Sequence, residues 1–170
     1  MDNRHRSTVQ HLTGVRSKAD RAIAVVAHIA LVAIVLAASL GFLGVRTANA
    51  TAGDDRLRLD VTHATITRPG LATPLTIEVA SVDGPLPSTL TLVVSSRYLA
   101  MFDQNAVTPQ PDQTVVGETD TALTFEIPDA TPTFRLDFDV RLQPSIRWGR
   151  SARISIVGGP SLRIDTVVVP

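Results

Sequence analysis

The sequence predicts an all-β domain carried behind a single N-terminal transmembrane helix. The expected domain is an immunoglobulin-like antiparallel β-sandwich of about seven strands. Three observations lead there. Residues 22–45 contain no Asp, Glu, Lys or Arg. From Leu57 onward, apolar and polar residues alternate with a period of two, the mark of strands with one buried and one wet face. All eleven prolines follow Arg68 and fall largely between the alternating runs, where turns belong.

In chain order, residues 1–21 are a basic tail, with Arg4, Arg6, Arg16, Lys18 and Arg21 against Asp2 and Asp20. The apolar segment 22–45 would run about 36 Å as a helix, enough for a hydrocarbon core of about 30 Å. Its positive flank is N-terminal, so the tail is expected in the cytoplasm and the C-terminal body outside. Ala48-Asn49-Ala50 has the form of a signal-peptide cleavage site. The apolar segment is nevertheless longer than the usual signal core of about 7–15 residues, and Arg46 separates it from that site. An uncleaved signal anchor is therefore the expectation, with cleavage after Ala50 as the alternative. Residues 46–55 then read as a juxtamembrane tether and 56–170 as the exported domain.

Within that domain the inward positions are Leu57, Leu59 and Val61; Leu75, Ile77 and Val79; Leu90, Leu92 and Val94; and Leu123, Phe125 and Ile127. Phe134, Leu136, Phe138, Val140 and Leu142 form the clearest run, followed by Ile154 and Ile156, then Leu162, Ile164 and Val168. Pro69-Gly70 suits a type II turn. Asp83-Gly84-Pro85 and Gly158-Gly159-Pro160 punctuate later breaks. Ser96 to Asp103 interrupts the alternation and is expected to be a short helical turn between sheets.

Composition excludes several functions. There is no cysteine, hence no disulfide framework, zinc finger or iron–sulfur cluster. Formal charge is zero overall, and residues 51–170 carry ten arginines against fourteen acids, which disfavours nucleic acid as a partner. No G-x-S-x-G elbow accompanies His63, the exported domain's one histidine, so a Ser–His–Asp triad is not expected. A strand histidine without partners is expected at a surface or edge. Asp103, Asn105 and Asp112 offer oxygen ligands but lack the glycine and glutamate of a calcium loop; local Asx turns are the simpler expectation. Asp137 and Asp139, between Arg135 and Arg141, read as cross-strand charge pairs on a wet face. Neither a catalytic residue, a metal ligand nor a cofactor is expected. Asn49-Ala50-Thr51 matches a glycosylation sequon, placed against the membrane.

Two candidate contact sites remain. Ala33, Ala37 and Gly41, spaced four apart, make a small-residue stripe on which a second helix can pack closely; a helix-mediated homo-oligomer is one form of such packing. His28 is the span's one ionisable group, expected neutral near its cytoplasmic end. Arg147-Trp148-Gly149-Arg150 is the second candidate. A tryptophan between arginines can anchor a protein partner or lie at the outer membrane–water interface. The simpler expectation is that Trp148 caps one end of the core, with the arginines in solvent.

Three stretches, Thr67-Arg-Pro-Gly-Leu-Ala-Thr-Pro74, Ser95-Ser-Arg-Tyr-Leu-Ala-Met-Phe-Asp-Gln-Asn105 and Gln143-Pro-Ser-Ile-Arg-Trp-Gly-Arg150, resemble a group of uncharacterised actinobacterial envelope proteins. The resemblance implies one transmembrane helix and a small exported β domain; it carries over no functional residue. The functional expectation is a non-enzymatic, single-pass accessory or interaction subunit for another membrane or envelope protein. The alternative is a ligand-binding domain, for glycan or calcium, released by cleavage after Ala50.

Overall fold

A computed structural model describes residues 18–39 and 44–169. The chain divides into two units, an N-terminal helical one and a β unit from Leu43 onward. Helix α1, Lys18–Ser39, has eight alanines, two leucines and seven Val or Ile; the alanines, which lose no side-chain freedom in a helix, offset the cost of the β-branched residues. From Ala22 on it carries no Asp, Glu, Lys or Arg, and Ile23 is 68% and Leu31 61% exposed among the described residues. One stretch, Lys18–Leu36, is long and apolar enough to cross a membrane. Its polar groups are satisfied locally. The His28 ring donates from Nδ1 to the Ala24 carbonyl at 2.6 Å, and Ser39 Oγ to the Val35 carbonyl at 2.8 Å. Gly44 and Val45, expected to end the helix, are not helical.

The β unit contains strands β1 Arg46–Gly53, β2 Leu57–Thr67, β3 Ala72–Ser81, β4 Thr89–Ser95, β5 Phe102–Thr108, β6 Gln113–Val116, β7 Asp120–Glu126, β8 Thr133–Leu142, β9 Arg150–Ile156 and β10 Ser161–Val168, with a short helix α2 at Ser96–Leu99. The expected sandwich is overturned. The strands form one ten-stranded mixed sheet in the order β5-β8-β3-β2-β10-β9-β4-β7-β6, with β1 beside β2, curled into a half-barrel. The cause is β10. It pairs antiparallel with β9 from Ser161 to Thr166, then parallel with β2 through Val167 and Val168. Two layers that would have faced each other are thereby hydrogen-bonded into one sheet. On the other side the curl stays open: among the described residues β5 pairs with β8 alone and β6 with β7 alone.

The expected alternation does build the core. Leu59, Val61, Ile77, Val79, Leu92, Val94, Leu136, Leu142 and Ile154 are all fully buried, and Phe134 and Leu162 pack against them. Removing such side chains from water contributes about 1.5–3 kcal/mol each. The predicted turn after β2 is present: Gly70 has φ of +79° and the Leu71 N–H donates to the Arg68 carbonyl at 3.2 Å. Pro74 lies in β3 just beyond the last β2 pair, His63 with Leu75, so its missing N–H costs that ladder nothing. The helical turn expected near Ser96 is α2, which leads from β4 to β5 at the far rim of the sheet.

The tether is also corrected. Residues 46–53 are strand β1, antiparallel to β2 from Arg46 opposite Ile66 to Gly53 opposite Arg58. Asn49 belongs to that strand and its side-chain oxygen accepts from Thr62 Oγ1 at 2.8 Å.

Candidate interaction surface

Strand registers define two poles of the β unit. Arg46 at the start of β1 lies opposite Ile66 near the end of β2, and Val168 at the end of β10 lies beside Thr67. Arg150 at the start of β9 faces Thr166. Leu142 at the end of β8 is tied to the β2–β3 turn: its N–H donates to the Leu71 carbonyl at 3.0 Å and its carbonyl accepts from Gly70 at 2.8 Å. All these groups share the pole at which the chain enters from α1.

The Arg147–Arg150 segment is seated here by Gly149. A Cβ at that position would stand 1.9 Å from the Thr166 carbonyl oxygen, so only glycine permits this approach to β10. Trp148 consequently points away. It is 83% exposed, which overturns the expectation that it caps the core; Tyr98 and Phe102, edge to face at 5.2 Å, fill space inside instead. Arg147 turns back, its Nη1 donating to the Pro144 carbonyl at 2.6 Å. Together with Arg68, Pro69 and Val168 it lines a cleft of about 480 Å³. Arg68 Nε is buried there without a hydrogen-bond partner. Arg150 lines a neighbouring hollow with Arg97. Segments 44–53, 62–72, 143–153 and 166–169 contain no acidic residue.

Arginines on the strand faces behave differently. Arg58, Arg135 and Arg163 each pair with an aspartate two positions along the same strand, Asp60 at 2.8 Å, Asp137 at 2.9 Å and Asp165 at 3.7 Å. The Arg135–Asp137 pair is therefore within one strand, not across strands as expected; the cross-strand partner of Asp137 is Thr76 Oγ1 at 2.7 Å. Hydrogen bonding from Arg135 and then from Thr76 holds the Asp137 carboxyl below its ordinary pKa.

Behind the entry pole lies a buried polar chain. Thr166 Oγ1 donates to the Ala64 carbonyl at 2.7 Å, so its lone pair receives the Tyr98 hydroxyl at 3.0 Å. This joins α2, β10 and β2. Burial raises the Tyr98 pKa, partly offset by that bond. A second buried pair, Thr67 with Thr73 at 3.0 Å, links β2 to β3. His63 departs from its expected surface position: it is 5% exposed and its Nδ1 has no partner. Burial lowers its pKa, against a backbone hydrogen bond to Val61 and the charge of Asp165.

The opposite pole is acidic. Asp54, Asp55 and Asp83 line a cleft of about 530 Å³ with Leu57, Leu86 and Val157. Two of its carboxylates accept backbone N–H groups. Asp54 accepts from the N–H groups of Arg56 and Leu57, both at 2.8 Å, and Asp112 from Glu126 N–H at 2.7 Å. Asp103 and Asn105 lie in rim strand β5, whereas the Asp112 carboxylate is turned to the Glu126 N–H of β7. Among the described residues no group of three or more His, Asp or Glu side chains could hold a metal ion.

The third feature is the open seam. A cavity of about 570 Å³ between β5 and β6 is lined by Leu99, Phe102, Val107, Val116, Leu123 and Phe138, among others. Val115 and Val116 of β6 are 55% and 74% exposed. The sequence reading missed this site, because β5 and β6 lack the alternation that marked the other strands.

As for the helix stripe, Ala33 lies exposed on α1 and Ala37 belongs to the same helix; Gly41 falls outside the described residues.

No protein-family model matches the chain, and no curated protein matches it.

Proposed function

We propose that this is a non-enzymatic, single-pass envelope protein whose extracytoplasmic β half-barrel serves as an accessory or interaction subunit for another membrane or envelope protein. The observation that carries the reading is the seam. Two rim strands each present an edge unpaired by any other described strand, above an apolar cleft. An extended apolar segment of a partner can add to such an edge, with main-chain hydrogen bonds giving affinity and the cleft accepting alternate side chains. Uncovered, an edge of this kind is an aggregation hazard.

Retention of α1 as an anchor is supported by β1. Cleavage after Ala50 would leave Thr51–Gly53 as its remnant on β2, so the released-domain alternative would discard most of a strand. Residues 40–45 connect α1 to β1, a reach of at most about 25 Å fully extended; the domain works beside the bilayer. The basic tail places the N-terminus in the cytoplasm. The stripe of Ala33, Ala37 and Gly41 offers a second contact, within the membrane.

The test is purification of the tagged full chain from its own membranes in mild detergent, with mass spectrometry of the eluate. A stoichiometric membrane protein is expected, lost on Val116→Arg and weakened on Ala37→Leu with Gly41→Leu. A chain that elutes alone would count against an accessory role. Protein in the medium beginning at Thr51 would overturn the anchor.

A further inference from the structure

We propose that the entry pole is a lipid-contact surface: Trp148 lies in the headgroup region of the outer leaflet, and Arg68 with Arg147 binds the phosphate of an anionic phospholipid. The inference rests on the anchored reading above and adds a second ligand class, bound by residues that do not line the partner seam.

Position comes first. Trp148, Arg68 and Arg147 sit at the end of the half-barrel where the chain enters, by the pairing of Arg46 with Ile66 and of Val168 with Thr67. With α1 in the bilayer, the six residues 40–45 that separate it in sequence from β1 have a covalent reach of at most about 25 Å. Side-chain chemistry comes second. Tryptophan is enriched at the membrane–water interface because its ring is amphipathic, and this one is 83% exposed on a loop that Gly149 pins to β10. Behind it, the Arg68–Arg147 cleft has apolar walls in Pro69 and Val168 and a buried Arg68 Nε with no partner. A planar guanidinium binds phosphate through parallel N–H donors, and Arg68 and Arg147 both line this cleft. Charge comes third. Segments 44–53, 62–72, 143–153 and 166–169 hold arginines and no acids, with Asp103 opposite Arg141 and Asp165 opposite Ser151 at their border, whereas the cleft at the other pole carries Asp54, Asp55 and Asp83 with Arg56. Such a polarity turns the basic end toward an anionic surface.

Trp148 is the chain's single tryptophan, so its fluorescence reports this pole alone. The full chain would be reconstituted into nanodiscs of phosphatidylglycerol or of phosphatidylcholine, with membrane retention checked by alkaline extraction. In phosphatidylglycerol the expected result is blue-shifted emission, quenching by brominated lipid and protection from acrylamide. Raising salt should reverse these on the native chain. Arg68→Gln and Arg147→Gln should each lower the docked-to-undocked ratio by about fivefold. Trp148 equally open to acrylamide in both lipids, on a chain that stays in the bilayer, would overturn the lipid contact and leave the anchor standing. Extraction of the chain at alkaline pH would overturn the anchor and the contact together. Shielding of Trp148 that requires a co-purified protein would make this pole a protein interface and overturn the proposal.

Discussion

The two poles of the half-barrel use charge in opposite ways. At the far pole, carboxylates are absorbed by the fold: Asp54 closes the β1–β2 connection by accepting two backbone N–H groups, and Asp112 accepts a third from Glu126. At the entry pole, Arg68, Arg147 and Arg150 enter none of the ion pairs that occupy Arg58, Arg135 and Arg163. What holds this end together is instead buried and nearly uncharged: Tyr98, Thr166, Thr67, Thr73 and the close seat of Gly149. A chain of zero formal charge thus spends Asp54 and Asp112 on backbone N–H groups at one end and leaves Arg68, Arg147 and Arg150 outside the same-strand ion pairs at the other. Arginines that pair with no aspartate on their own strand keep their charge for binding.

That contrast can be tested by breaking each end in turn. Leu142→Ala should have the largest effect, about 3–4 kcal/mol, because Leu142 is fully buried and its strand end holds the β2–β3 turn. Leu86→Ala at the far pole, 6% exposed beside the open cleft, should cost about 2 kcal/mol. Urea unfolding followed by circular dichroism compares them, and equal costs would remove the idea that the entry pole is the more tightly built.

Thr166→Val should cost about 2 kcal/mol, since it strands the Tyr98 hydroxyl and the Ala64 carbonyl in the interior. Tyr98→Phe should cost about 1 kcal/mol, because Thr166 keeps its own acceptor. The reverse order in a thermal melt would mean that the Tyr98 hydroxyl contributes through a contact other than Thr166.

A smaller effect is expected from pH. Burial lowers the His63 pKa below its unfolded value near 6.5, so the unfolded chain binds the proton more readily. Stability is then complete above about pH 6.5 and declines as pH falls through the window between the two values. His63→Leu should flatten that part of the stability–pH curve. An unchanged slope would assign it to another group.

The smallest effect belongs to Asp54→Ala. The N–H groups of Leu57 and then Arg56 lower its pKa, so its contribution is present above the ordinary carboxylate range and fades as pH falls through the lowered value. A slight drop in melting temperature at neutral pH, vanishing in acid, is expected. A drop that persists in acid would mean that the carboxylate charge is irrelevant to the turn.

Much of the interior was legible because burial on one face imposes a period of two, and large apolar residues at that period have few other uses. Leu57 to Val61, Leu75 to Val79 and Phe134 to Leu142 were read this way. Strands without large apolar residues escaped. Arg46-Thr-Ala-Asn-Ala-Thr-Ala-Gly53 carries small and polar side chains and reads as a linker, although β2 holds it along its whole length. The rims β5 and β6 are solvent-facing and carry little pattern. Trp148 was misplaced because a lone tryptophan normally supplies core area, and nothing local reveals that Tyr98 and Phe102 have filled that role.

Sequence alone determined an apolar N-terminal segment of membrane-spanning length, the inward face of each patterned strand, and turns such as Pro69-Gly70. These are local properties of side-chain hydropathy and backbone freedom, legible over a few residues. Tertiary structure alone decided that the strands make a half-barrel and not a sandwich, that the seam between β5 and β6 stays open, and that Arg68 meets Arg147. The half-barrel depends on β10 pairing with β2 about a hundred residues earlier. Alternation specifies which face is buried; it is silent on which strand lies alongside, because every inward face presents the same apolar surface.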